Sequence, residues 1–316
     1  MTDRSVYKIT PACFANVWGG NKLRNYGKEL ESDRIGESWE LSFVKGGEAT
    51  VGGIAMTEKF PRECWGKRAQ GFEFFPVLTK FIDAREKLSV QVHPSDDYAL
   101  KNEGTYGKTE MWYVVEADEG AGLYMGFCDS YSEDELRRAI KDGTVEKMLR
   151  FVTVRPGDVF FIPAGTVHAI GGGVLIYEIQ QNSTLTYRLY DYGRLGTDGQ
   201  PRELHVEKAL KVLKREPYVQ PTPENDKISA TIGTCEYFTV KKYDVSSSVG
   251  LTVNSESFLA ISATKGRGVL SYTDNQGNLI TEEVRAGDTF FAPACHEPFT
   301  VTVSGDITVI TTEVGE

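Results

Sequence analysis

Along this chain apolar and polar residues alternate in short runs broken by glycine and proline, the period of β-strands joined by tight turns. Leu88-Ser89-Val90-Gln91-Val92-His93 alternates strictly, so Val90 and Val92 face one way while Ser89, Gln91 and His93 face the other. Glu110 to Val115 reads as a strand that places Glu110, Trp112 and Val114 on one face. Leu185 to Tyr190 alternates as well. Thr186, Arg188 and Tyr190 are expected to point into a cavity, and Leu185, Tyr187 and Leu189 to pack outward against covering elements or a second barrel.

A weak internal repeat organises these strands. Val154 to His168 reads VRPGDVFFIPAGTVH, and Val284 to His296 reads VRAGDTFFAPACH. Each copy is a Gly-Asp turn, an apolar strand with two phenylalanines, a Pro-Ala turn and a histidine. Two copies predict two related β-barrels. The proline-containing polar stretch 214–228 reads as a linker, dividing the chain into residues 1–228 and 229–316. In the second part strands are expected at Tyr237–Tyr243, Phe258–Thr264, Gly268–Tyr272, Thr289–Ala292 and Phe299–Val303. Helices are few. Ser132 and Glu135 form a capping-box signature ahead of Leu136, Ala139 and Ile140, Thr144 is a candidate cap for a short second helix, and Leu204–Leu213 has helical spacing.

Composition narrows the function classes. The 316 residues are 40% hydrophobic and 25% charged, as in ordinary soluble globular proteins, with a net charge of −10. No basic run suits nucleic acid, and no segment approaches the ~20 apolar residues of a membrane span. The N-terminus lacks an apolar signal region. Five widely spaced cysteines without a CxxC pair indicate neither a zinc knuckle nor a disulfide framework, so a reducing cytoplasm is the simplest compartment. An anionic substrate needs a local cluster of Lys and Arg, because the global field does not attract it.

Three segments carry candidate chemistry. Gln91 and His93 converge from one strand face, although such a pair also occurs on solvated faces. Glu110 shares a face with Trp112 and Val114, and a buried carboxylate needs a cation or a metal; the alternative is a strand end in water. His168 follows the Pro-Ala-Gly turn among apolar residues, where a hydrogen-bonded core histidine is the plain alternative. Together they offer two imidazoles, a carboxylate and an amide oxygen, a set that suits zinc or iron with an open position.

The segments QVHP, GKTEMWY and PAGTVHAIGGG, in this order, resemble the type I mannose-6-phosphate isomerases in their short bacterial form. The resemblance covers most of residues 10–205 and is looser beyond. It implies a mainly β protein of two cupin-type (jelly-roll) barrels, the second of them free of metal, and one zinc ion per chain on Gln91, His93, Glu110 and His168. It implies an aldose–ketose isomerase that interconverts mannose 6-phosphate and fructose 6-phosphate through an enediol, with a small sugar phosphate as its partner and no nucleic acid or membrane. Lys108, Glu178 and Arg188 match catalytic residues, and Lys80 and Trp18 match substrate-pocket residues. Glu178, His168 and a metal-bound water remain candidate bases. The plain alternatives are solvated strand ends for the lysines, a core tryptophan beside a turn for Trp18, and an ion pair to Asp191 or Asp198 for Arg188. The chain departs from larger members in having room only for a short insertion at 130–150. His205 and His296 match no ligand, and His205 reads as structural or surface. A cupin-type oxygenase and a non-catalytic sugar-binding protein are the rival readings; the oligomeric state is open.

Overall fold

The computed structural model describes residues 4–196, 199–220 and 230–315. Most of the linker at 214–228 therefore lies outside the described residues, as does Asp198. The architecture is mainly β, in stacked layers. A six-stranded antiparallel sheet runs in the order Val159–Ile162, Glu110–Ala117, Val174–Gln181, Val77–Ala84, Glu37–Leu41 and Ala12–Phe14. A five-stranded sheet faces it, in the order Leu149–Thr153, Gly122–Phe127, His168–Ile170, Val90–Val92 and Tyr187–Tyr190.

Alternation assigns each residue to a layer. Trp112, Val114, Ile82 and Ile176 from the first sheet meet Leu123, Met125 and Ile170 from the second, forming the core between them. Val90, Val92, Tyr187 and Leu189 point out of the five-stranded sheet and are covered by Leu136, Ala139 and Ile140 and by Ala209 and Leu210. The outward apolar set thus packs on helices. The outer face of the six-stranded sheet carries Phe81, Met111, Tyr177 and Ile179, which bury against Phe238, Phe258, Ala260, Phe291 and Ile310 of the C-terminal part. Val174–Gln181 is consequently buried on both faces along its whole length.

Strands of the C-terminal part form a sheet around their own core, and Tyr7–Lys8 completes it as one of eight strands by pairing with Phe290 and Phe291. Thr289–Ala292 is a strand as expected. The segments expected at 258–264 and 268–272 are one strand, Leu259–Thr273, which bends at an irregularity between Ala263 and Lys265. Strands at Ser248–Val253 and Leu279–Arg285 were not apparent in the sequence. The repeat is structural. In both copies the aspartate accepts from the arginine N–H three residues earlier, Arg155 to Asp158 at 2.8 Å and Arg285 to Asp288 at 3.0 Å. Gly157 and Gly287 have φ of 97° and 96°, a conformation that favours glycine.

Helix Glu133–Lys141 has the full capping box: Glu135 N–H donates to Ser132 Oγ at 3.3 Å, and Ser132 N–H donates to Glu135 Oε2 at 2.8 Å. Ser132→Ala is expected to speed amide exchange over this helix about fivefold, measured by hydrogen–deuterium exchange. Helix Val206–Val212 falls within the expected segment. Thr144 precedes a 3₁₀ turn, Val145–Met148, but its hydroxyl donates back to Ala139 O in the last turn of the preceding helix and makes no cap bond to the 3₁₀ turn. A further helix, Asp96–Glu103, was not expected. No helix among the described residues is long and apolar enough to cross a membrane. Cys13, Cys64, Cys128 and Cys235 are free thiols.

Candidate metal centre

The inner faces of the two sheets deliver polar side chains to one end of the core between them. Lys80, Glu110 and Glu178 come from three adjacent strands of the six-stranded sheet, whereas Gln91, His168 and Arg188 come from the facing one. Gln91 pairs in register with both His168 and Arg188. Sheet pairing therefore gathers residues far apart in the chain, such as Lys80 with Glu178 and Gln91 with Arg188.

His93, Glu110 and His168 form a fully buried cluster whose potential ligand atoms all lie within 4.8 Å of one another. His93 Nδ1–H donates to Leu185 O at 2.8 Å, and His168 Nδ1–H donates to Thr166 O at 2.9 Å. A carbonyl can only accept, so in each neutral ring the proton is on Nδ1 and Nε2 carries a lone pair. Those lone pairs face the carboxylate: His168 Nε2 lies 3.1 Å from Glu110 Oε1, and His93 Nε2 lies 3.6 Å from Oε2. Neither Glu110 oxygen makes a well-directed hydrogen bond, although Lys108 Nζ sits 2.6 Å from Oε2 as an ion-pair contact. Acceptors aimed at acceptors in a buried site call for a cation between them. Gln91 presents its amide to the same point, with Nε2 3.2 Å from His168 Nε2; a half-turn of the amide presents Oε1 instead. The donor set therefore fits a zinc ion, with the outer nitrogens of both rings oriented by backbone carbonyls.

Burial sets the charge states. It pushes His168 down to about 4, and it lowers His93 well below its usual range, helped by Lys108 and His168, so both imidazoles are neutral. Burial and the Glu178 charge push Glu110 up, against Lys108. Burial also raises Glu178, but the Lys108 and Lys80 ammonium groups and the Trp112 indole N–H outweigh it and hold this carboxyl below its ordinary value. Trp112 Nε1–H donates to Glu178 Oε2 at 2.7 Å, and Lys108 Nζ lies 3.4 Å from Oε1.

A cavity of about 320 Å³ opens beside the cluster, and its lining includes Trp18, Lys80, Gln91, Lys108, Glu178 and Arg188. All the residues singled out for metal, substrate or catalysis thus lie in or against one site. Asn16, Glu37 and Arg202 also line it and were not singled out. Glu37 holds Lys80 at 3.2 Å and accepts from Trp39 Nε1 at 2.6 Å. The signal for Glu37 was its alternation with Trp39 in Glu37-Ser38-Trp39; the signal for Arg202 was weak, because it lies in a loop.

One expectation about the strand at 185–190 is corrected. Thr186 and Arg188 line the cavity, but Tyr190 does not. The register slips between Arg188 and Tyr190, so Tyr190 pairs with outward-facing Val90 and joins the helix-covered core. Arg188 is half-buried; its Nη1–H donates to Glu203 O at 2.7 Å and not to Glu178. Nor does it pair with Asp191, which is held by Arg202 through two 2.6 Å bonds. His296 is exposed at the surface of the C-terminal part, and His205 lies beside the backbone of Arg188.

Comparison with known proteins agrees with the fold. The family described as "Mannose-6-phosphate isomerase, cupin domain" matches residues 228–312. Mannose-6-phosphate isomerase ManA of Bacillus subtilis is 38% identical over 283 residues, covering 85% of this chain and 88% of its own length. The mannose-6-phosphate isomerase of Streptococcus mutans is 37% identical over 289 residues, covering 88% and 89%. The crystal structure of the mannose 6-phosphate isomerase from Bacillus subtilis superposes with a TM-score of 0.86 at 36% identity, over 98% of this chain and 99% of that one. With relatives this similar along nearly the whole chain, the protein belongs to the mannose-6-phosphate isomerase family.

Proposed function

We propose that the chain is a zinc-dependent aldose–ketose isomerase that interconverts mannose 6-phosphate and fructose 6-phosphate through an enediol, with one zinc ion on Gln91, His93, Glu110 and His168. The observation that carries this reading is the convergence of two unprotonated ring nitrogens and an unsatisfied buried carboxylate at the edge of a cavity lined by four cationic side chains. Zinc bound there supplies Lewis acidity toward the sugar oxygens on which charge develops.

The chain's own groups do the rest. Glu178, ionised between Lys108 and Lys80, is the carboxylate available to carry the proton between C2 and C1. Burial opposes the charge of Lys108, but Glu110 and Glu178 outweigh it and keep the ammonium protonated. It is therefore a fixed positive charge beside the developing enediolate. Trp18, Ile82, Leu88 and Ile170 give the cavity an apolar wall against the carbon face of the sugar. Lys80, Lys108 and Arg202 are already paired with carboxylates, which leaves the Arg188 guanidinium as the planar donor suited to a phosphate.

The His/Glu/His set also suits iron, and the rival oxygenase reading rests on that. A coupled assay of the purified protein on mannose 6-phosphate separates them. Isomerase activity is expected with one zinc per chain, lost on chelation and restored by zinc. Oxygen uptake without isomerisation would overturn the proposal.

A further inference from the structure

Tyr187–Tyr190 is the last strand of the five-stranded sheet, so one row of its backbone groups faces away from the sheet. Edge groups removed from water need partners. At Arg188 the partners come from a single residue of the segment that follows. His205 N–H donates to Arg188 O at 2.7 Å, and Arg188 N–H donates to His205 Nδ1 at 3.2 Å. An imidazole nitrogen stands where a neighbouring strand would place a carbonyl. The same segment receives the Arg188 side chain, at Glu203 O, and carries Arg202 on Asp191. The clip acts just before the register slip that separates Arg188 from Tyr190, where the strand departs from regular pairing.

We infer that His205 is a positioning residue for Arg188: its neutral imidazole, with the proton on Nε2, holds the Arg188 backbone so that the guanidinium lines the cavity. The inference rests on reading Arg188 as a phosphate ligand. His205 does not itself line the cavity. The required tautomer is favoured by Glu203, whose Oε2 lies 3.8 Å from Nε2. Protonating Nδ1 sets donor against donor at the Arg188 N–H.

The charged groups around the ring are Glu203, Arg188, Lys208 and Glu103, and the Tyr187 ring packs 6.1 Å away. Glu103 is engaged by Lys208 at 2.7 Å and by the Tyr187 hydroxyl at 2.8 Å. Burial, with Arg188 and Lys208, outweighs the two carboxylates and keeps His205 below its ordinary value. The acceptor state therefore prevails at neutral pH and is lost only on the acid side.

The test uses the full-length, zinc-loaded protein in the mannose 6-phosphate assay from about pH 5.5 to about pH 8. His205→Ala removes the acceptor. His205→Asn keeps one, because its amide oxygen takes the place of Nδ1 and does not titrate. At neutral pH His205→Ala is expected to raise KM about three- to tenfold with kcat within about twofold, whereas His205→Asn stays within about twofold of wild type in both. The Asn variant should also show a smaller rise in KM on the acid side than wild type. A wild-type KM in His205→Ala, an Asn variant as impaired as Ala, or an unchanged acid-side rise in the Asn variant overturns the inference. If His205→Ala fails to fold, the pH profile of His205→Asn decides by itself. Wild-type protein inactive on mannose 6-phosphate would refute the functional reading instead. Titration with inorganic phosphate would then test the clip alone: weaker binding by His205→Ala than by His205→Asn supports it, and equal binding overturns it.

Discussion

His168→Ala is expected to strip the metal and abolish isomerisation together, the largest effect foreseen for any single substitution here. His168 sits in a three-residue strand that pairs with Gln91 on one side and Met125 on the other. Its ring is fixed by Thr166 O and packs edge-on to Trp112, with ring centroids 5.3 Å apart. Removing it takes away one of two nitrogen ligands and leaves Gln91, His93 and Glu110, a set with a single imidazole that holds zinc far more weakly. The polarisation supplied by a catalytic metal is worth several kcal/mol, so turnover should fall about a thousandfold or more. The strand itself should persist, because Ala169 and Ile170 keep their places in the cores on either side of the sheet. Elemental analysis for zinc, circular dichroism and the coupled assay would be made on one preparation, with His93→Ala in parallel. A folded His168→Ala protein with full zinc occupancy would sink the ligand assignment.

The convergence of these side chains was partly legible because strand periodicity is rigid. Once Leu88–His93 is read as a strand, Gln91 and His93 share a face, and Glu110 shares one with Trp112; the burial of Glu110, for which a solvated strand end was the alternative, comes from the fold. The same rule put Val90 and Val92 on the face opposite Gln91, which the structure covers with helices. What periodicity could not supply was its own interruption. Tyr190 was assigned to the cavity because nothing in the sequence marks the slip after Arg188, which is defined by pairing with a strand about a hundred residues away. Helix Asp96–Glu103 escaped because Ala99 is its only fully buried residue, so it has almost no apolar stripe to detect. Arg202 reaches the cavity from a loop, through tertiary placement that one sequence does not encode locally.

Arg188→Lys is expected to raise KM for mannose 6-phosphate about ten- to a hundredfold while leaving kcat nearly unchanged. The argument turns on which anion the guanidinium meets. Glu178 is engaged by Lys108 and Trp112, and Asp191 by Arg202, so among the described residues no carboxylate forms an ion pair with Arg188. Its Nε is buried without a partner, and its Nη1 is spent on the Glu203 carbonyl. Burial and the neighbouring Arg202 charge both disfavour this cation, as Asp191 and Glu203 only partly compensate. A site that concentrates two guanidinium groups at such a cost is relieved by an anion of more than one charge, which a phosphate is and an enediolate is not. The phosphate carries its charge in the ground state and the transition state alike, so the contact is uniform binding and appears in KM. Lysine keeps the charge but loses the planar fork, which removes one charge-assisted hydrogen bond worth about 1.5–3 kcal/mol, or roughly ten- to a hundredfold in affinity. Comparing mannose 6-phosphate with unphosphorylated mannose separates the alternatives. If the defect is equal on both sugars, or lies in kcat, Arg188 serves the reacting carbons; if kinetics are unaltered in a folded, zinc-loaded variant, it belongs to the scaffold.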